Sequence, residues 1–202
     1  GVVWDKGCNL IKHYYRKEKD FILNPFDARC CYWDLWSEGF EQTAFDNMAN
    51  SLIPMHGETD PFWVNSARTI FSSTAYKMRE DHDKSNTKLL QLLLTQPLED
   101  ISHYLQGTAS ASLVDGKIEK TAISIKSILA AYLRSLCFLE GLSAQDRPRL
   151  SITDWMTHRA QDSWLFITSN AQQHASLRPL ISMWLAIAAN AILGMEEDPA
   201  RR

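Results

Sequence analysis

What the sequence lacks narrows its chemistry first. Its 202 residues hold no Cys-x-x-Cys pair, and no His stands at zinc-ligand spacing from a cysteine pair. The four cysteines, at positions 8, 30, 31 and 137, therefore read as reduced cytosolic thiols. No G-x-x-x-x-G-K-[ST] phosphate loop occurs, since Gly116-Lys117 is followed by Ile118 and Gly7 starts nothing of that spacing. No strand ends in Asp-Glu to hold magnesium, and neither G-x-S-x-G nor H-E-x-x-H is present. The six histidines, at 13, 56, 82, 103, 158 and 174, are scattered singly and read as surface or packing residues. Catalysis by this chain alone is not expected.

Membrane and leader signals are missing too. No apolar run reaches about 18 residues, and no signal peptide is legible. The nearest stretch, Leu180 to Leu193, is interrupted by Ser182 and Asn190 and reads as a buried helix. The formal net charge of −3 excludes a strongly basic nucleic-acid footprint for the chain as a whole. What is present is ordinary: 45% hydrophobic and 22% charged residues, enough for one large or two small globular domains without a metal or disulfide.

Along the chain the pattern changes twice. Val2, Val3 and Trp4 read as a buried strand ending at Asp5. Leu10, Ile11, Tyr14 and Tyr15 keep one helical face, and Phe21 to Leu23 form a second strand stopped by Asn24-Pro25. From there to His158 no strand is convincing. Phe40, Ala44, Phe45, Met48 and Leu52 mark a helix ending at Pro54. Asp60-Pro61 opens the next, with Phe62, Trp63, Ala67, Ile70, Phe71, Ala75 and Met78 on its apolar face. Leu89 to Leu94 lie in another. Thr95 or Gln96 caps a helix that begins at Pro97 and closes at Gly107. Lys117 to Glu140 is the longest, with Gly141 as its stop. Ser151 to Asp154 begins a short helix at Trp155. Trp164 to Thr168 then returns as a buried strand, followed by a helix from about Ser176 to Leu193.

The economical fold is mainly α. A multi-helix domain is inserted into a partial parallel α/β sheet of three short strands. The divisions fall at residues 1–29, 30–160 and 161–202. The start on Gly1-Val2-Val3 and the open sheet edges suggest an interval of a longer protein. Charge sorts along the same lines. Residues 1–29 carry six Lys/Arg against four Asp/Glu, net +2, and residues 30–150 carry eleven against fifteen, net −4. Residues 151–202 carry four against five.

Two sets of candidate residues follow. Asp5 and Lys6 end the first strand, and Ser169 and Asn170 follow the last. Ligands bind at that edge of open α/β sheets, although capping and turn chemistry would use the same residue types. Trp33, Trp36, Glu38 and Glu41 form an aromatic and acidic group. Its neighbours are acids rather than the Lys/Arg of a single-strand stacking platform, so core packing or a protein interface is favoured. A DNA-contacting face would need Lys117, Lys120, Lys126 and Arg134 together.

The strings Ile22-Leu23-Asn24-Pro25-Phe26-Asp27-Ala28-Arg29-Cys30 and Trp33-Asp34-Leu35-Trp36 resemble the conjugative coupling proteins of type IV secretion systems. So do Phe45-Asp46-Asn47, Ala49 to Met55, Asp60-Pro61-Phe62-Trp63, Lys117 to Ile125, Trp164 to Ile167, Ser169-Asn170-Ala171 and His174 to Leu177. The resemblance implies a membrane-anchored, hexameric, DNA-stimulated ATPase with a RecA-like domain and an inserted all-α domain. That parent would use ATP and magnesium, act on single-stranded DNA at the cytoplasmic side of the bacterial inner membrane, and meet relaxase, relaxosome accessory proteins and the secretion channel. The present interval would itself hold no cofactor and be monomeric. Its phosphate loop would lie before Gly1 and its Asp-Glu strand after Arg202, so no catalytic residue carries over. After the first strand the family reads Asp, basic, small, Gly, acidic. Here Asp5-Lys6-Gly7-Cys8-Asn9 departs at the last two places.

Overall fold

The computed structural model describes residues 1–55, 60–114, 119–142, 147–159 and 162–195. His56, Gly116 to Ile118, the division at 160/161 and the chain end from 196 lie outside them. The elements are β1 (Val2–Lys6), α1 (Ile11–Tyr14), β2 (Phe21–Leu23), α2 (Gln42–Leu52), α3 (Pro61–Met78), α4 (Asn86–Leu90), α5 (Leu98–Tyr104), α6 (Glu119–Cys137), α7 (Ile152–Asp154), β3 (Leu165–Ser169) and α8 (His174–Leu193). α4 and α7 each run on into a π-helical turn, at Gln91–Thr95 and Trp155–Arg159.

The three strands form one parallel sheet in the order β1-β3-β2. β3 lies in the middle, and all five of its residues are buried. Pairing of β2 with β3 therefore brackets the whole helical body between neighbouring strands. Alternation along β3 splits its side chains between two faces. Leu165 and Ile167, with Leu23, join the main core, which also holds Leu177, Leu180 and Trp184 of α8 and Phe45, Phe71 and Leu129 of the helical body. The opposite face is thin: Ile22, Phe166 and Ile11 are buried there, with Val3, Cys8 and Tyr15 against them.

Local chemistry accounts for the helix starts. Asp60 Oδ1 accepts from the Phe62 amide at 2.9 Å with Pro61 in the first turn. Ser85 and Ser151 accept from the amides of Lys88 and Asp154 at 3.1 and 3.0 Å. Gly107 and Gly141, at φ +82° and +79°, turn the chain in the left-handed region after α5 and α6.

Several expectations need correction. β1 is an edge strand, so Trp4 is half exposed rather than buried. The helix over Leu10 to Tyr15 is one turn long; Leu10 and Tyr14 face solvent. Phe40 and Phe62 are exposed, the first because α2 starts after it. α5 has Pro97 at its cap with no side-chain bond, while Thr95 Oγ1 donates to Gln91 O. α6 ends at Cys137. α8 starts at His174 and reaches 20 residues, long and apolar enough to cross a bilayer, yet its buried face (Leu177, Leu180, Ile181, Met183, Trp184, Ile187) makes it a core helix.

The segment around Trp33 is held from the side by Asn86. Its Nδ2 donates to Trp33 O at 3.0 Å and its Oδ1 accepts from Leu35 N at 3.3 Å. Replacing Asn86 by Ala strands two buried backbone groups. It is expected to cost about 2 kcal/mol, read as a lower denaturation midpoint at unchanged slope; a loss below about 0.5 kcal/mol contradicts this account.

Candidate functional site

The carboxyl edge of the sheet gathers Asp5 and Lys6 from β1, Asn24 after β2, Ser169 at the end of β3 and Asn170 after it. Asp5 is buried. Its two carboxylate oxygens accept from the amides of Asn9 at 3.0 Å and Ile11 at 2.9 Å, so it shapes the β1–α1 loop. Gly7 N donates to Ser169 O at 2.7 Å, which ties that loop to the end of β3. Gly7 and Cys8 both take positive φ, +111° and +55°. The second is where the coupling-protein pattern has Gly, the residue that takes positive φ most readily.

Asn24 joins the other side. Its Nδ2 donates to Thr168 Oγ1 at 3.1 Å and its Oδ1 accepts from the Phe26 amide. Asn170 Oδ1 accepts from Gln173 N at 2.9 Å, capping the approach to α8. Ser169 Oγ lies 3.0 Å from His174 Nδ1. Burial lowers the His174 pKa, and the nearby cations Lys6 and Arg178 lower it further. Of the four edge candidates, Asp5 and Asn170 are engaged with backbone and Ser169 is buried; Lys6 alone is exposed. Sequence reading missed Trp4, His174 and Arg178 beside it, because their proximity spans the full chain.

The docking candidates separate differently. Trp33 and Trp36 are core residues, not surface ones. Trp33 packs edge-on against Trp184 with ring centroids 5.8 Å apart, and Trp36 Nε1 donates to Ala75 O at 3.0 Å. Glu38 is also turned inward. Its carboxylate accepts from Trp33 Nε1, the amides of Ile152 and Thr153, and Thr153 Oγ1, at 2.6 to 2.9 Å. Only Glu41 of the four is exposed. The neighbouring acids hid this: Asp34 is itself buried, with its Oδ2 3.0 Å from Arg149 Nη2.

The basic face proposed for α6 does not assemble among the described residues. Lys126 Nζ donates to Gln96 O, and Lys117 lies outside them. Lys120 and Arg134 are exposed but about 21 Å apart along the axis. All four cysteines are free thiols, and burial pushes Cys30 up to about 12. Among the described residues no cluster of His, Cys, Asp and Glu could hold a metal ion.

A three-stranded parallel sheet with a helical body inserted between adjacent strands, and a polar carboxyl edge, defines a parallel α/β architecture carrying an inserted all-helical body. Over residues 1–202 the chain matches the family described as the type IV secretion-system coupling protein DNA-binding domain, and it belongs to that family. It is 48% identical over 204 residues to the coupling protein TraD of Escherichia coli strain K12, covering 100% of this chain and 28% of TraD. Among solved structures it resembles the conjugative coupling protein TrwB without its first 70 residues, at 28% identity and TM-score 0.83, covering 100% of this chain and 46% of that one. It also resembles TrwB in complex with ADP and Mg2+, at 28% identity and TM-score 0.85, covering 48% of that chain. The chain thus spans between a quarter and a half of these relatives.

Proposed function

We propose that this chain supplies the helical docking domain, and the sheet that carries it, to an ATP-driven coupling protein moving single-stranded DNA into a type IV secretion channel. The helical body, residues 30–160, receives relaxase, relaxosome accessory proteins or secreted substrates. Residues 1–29 and 161–202 belong to the motor. The whole protein works as a hexamer on the cytoplasmic side of the inner membrane, with ATP and magnesium bound by segments outside this interval.

One observation carries this reading: the helical body enters and leaves through neighbouring parallel strands, β2 and β3, and shares a continuous core with α8. A body so braced would move with the sheet. Its charge suits basic protein partners: residues 30–150 are net −4, and Glu41, Glu80, Asp83, Glu99 and Asp100 are exposed. The rival, a DNA-contacting helical domain at the mouth of the ring using a basic face of α6, lacks a gathered basic face among the described residues.

Purified relaxosome proteins are expected to be retained by the immobilised chain at low salt and released as salt rises. Charge reversal at Glu99 and Asp100 together should weaken retention severalfold. Absence of retention both by this chain and by the full coupling protein would refute the docking role.

A further inference from the structure

α2 and α3 both begin and end inside the inserted helical body, so the face they share owes nothing to the open side of the sheet. α2 turns Ala44 and Met48 toward α8, and α3 buries Ile70 and Phe71 in the main core. Their outer sides are polar. Gln42, Asp46 and Asn50 follow at four-residue spacing on α2, and Asn65, Thr69 and Ser72 keep helical spacing on α3. The two rows line a trough of about 470 Å³. Among the described residues its one apolar lining side chain is Ala49, and its charges are one acid, Asp46, and one base, Arg68. Gln42 Nε2 donates to Asp46 Oδ1 at 2.9 Å and steadies that wall. Arg68 Nε donates to Ile53 O at 2.8 Å, which holds the guanidinium toward the α2–α3 turn. Thr69 Oγ1 and Ser72 Oγ donate to Asn65 O and Thr69 O, at 2.9 and 3.4 Å. Both hydroxyl protons are thus spent on α3 carbonyls, and the oxygens keep lone pairs to accept with.

This lining selects among ligands. Stacked bases need aromatic platforms, phosphates need several cations, and an amphipathic helix needs an apolar groove. The trough offers none of these. It offers donors and acceptors at short intervals on two facing walls, which suits the backbone N–H and C=O groups of an extended chain. From Gln42 to Asn50 is eight helical steps, about 12 Å, the length of three or four extended residues at about 3.3 Å each. Asp46 adds a preference for a Lys or Arg side chain, in keeping with the net −4 of residues 30–150. We propose that the α2–α3 trough binds an extended segment of a docked protein. The backbone of that segment bonds to the two polar rows, and a basic side chain sits against Asp46. The inference rests on the docking role proposed above and adds to it a place and a form of partner, an unfolded stretch rather than a folded face.

The test is fluorescence anisotropy of labelled synthetic peptides that tile the purified relaxosome proteins, titrated with this chain and with the full coupling protein. Some peptides containing Lys or Arg are expected to bind. The double variant N50A/N65A should weaken them roughly 5- to 100-fold, the range for two lost hydrogen bonds. Both positions are exposed, so its denaturation midpoint should match the wild type. Asp46→Asn should erase the preference for basic peptides and flatten their salt dependence. Lys120→Gln, on α6, should change little. Methylating three successive backbone nitrogens of a bound peptide, with its side chains kept, should abolish binding; full binding by the methylated peptide refutes backbone recognition. If whole relaxosome proteins are retained but no peptide binds, or the peptides ignore both variants, the trough is not the site and the docking role survives. If neither peptides nor whole proteins are retained by this chain or by the full protein, both fall.

Discussion

Glu38→Ala is expected to destabilise the fold by about 4 kcal/mol. Four donors converge on that carboxylate: Trp33 Nε1, the amides of Ile152 and Thr153, and Thr153 Oγ1. Each buried donor left without an acceptor costs about 1–3 kcal/mol. Water reaching the site through the adjoining groove of about 310 Å³, lined by Glu38, Met48, Thr153 and Ile187, keeps the total toward the low end of the sum. The effect is structural because Glu38 joins distant parts of the chain. It caps α7 from a loop 114 residues upstream and fixes the indole that packs on Trp184. Glu38→Gln should lose less, since one carbonyl oxygen remains. Burial raises the Glu38 pKa above the ordinary glutamate value, against the opposing hydrogen bonds. With the folded value raised, its contribution is complete below the unfolded pKa, about 4.3, and declines as pH rises through the folded pKa. Denaturant titrations at several pH values measure this; a loss under about 1 kcal/mol for Glu38→Ala would refute it.

Asp20→Ala is the second large effect, about 3 kcal/mol, and its pH dependence has the opposite sign. The Asp20 side chain is fully buried. It accepts from Arg16 N, Nε and Nη2 at 2.7 to 3.1 Å and from the Trp164 amide at 2.9 Å, locking the turn before β2 to the start of β3. Burial pushes its pKa up, but the Arg16 side chain and the two amides outweigh burial, so it settles below the ordinary carboxylate value. The stabilisation is therefore present above the unfolded pKa and is lost as pH falls from about 4 through the folded value. Arg16 is 40% exposed, which places the cost at the low end for breaking such a pair. Stability of the wild type should fall on acidification more steeply than that of Asp20→Asn. Parallel acid profiles for the two would refute this account.

How much of this was readable beforehand depended on distance along the chain. Asp60-Pro61, Ser151 and Gly107 act within a few residues, and each stands where the pattern put it. The strand-helices-strand order was equally legible, because hydrophobic period and turn residues are local signals. Edge or centre is not a local property: Val2-Val3-Trp4 and Leu165-Phe166-Ile167 look alike as strings, yet only the second is buried throughout. For Trp33, Trp36 and Glu38 the surrounding acids left core packing and a protein interface both open, and the structure decides for the core. Their burial depends on partners such as Ala75, Ile152 and Trp184, which no local pattern announces. Trp4 and His174 come together from opposite ends of the sequence, so neither marked itself as part of a site.

The placement of β2 beside β3 also dictates an order of assembly. Their side chains meet across 144 residues, where Asn24 donates to Thr168. Closing so long a loop costs entropy before any strand hydrogen bond repays it, whereas α2 and α3 are neighbours in the chain and α3 and α6 lie much nearer in sequence than β2 and β3. The helical body is therefore expected to collapse first and bring the two strand ends within reach, with the sheet closing last. In pulsed hydrogen exchange, amides of α3 and α6 should gain protection before those of β3. A chain paused partway through synthesis would then hold a formed helical body beside a sheet lacking its central strand.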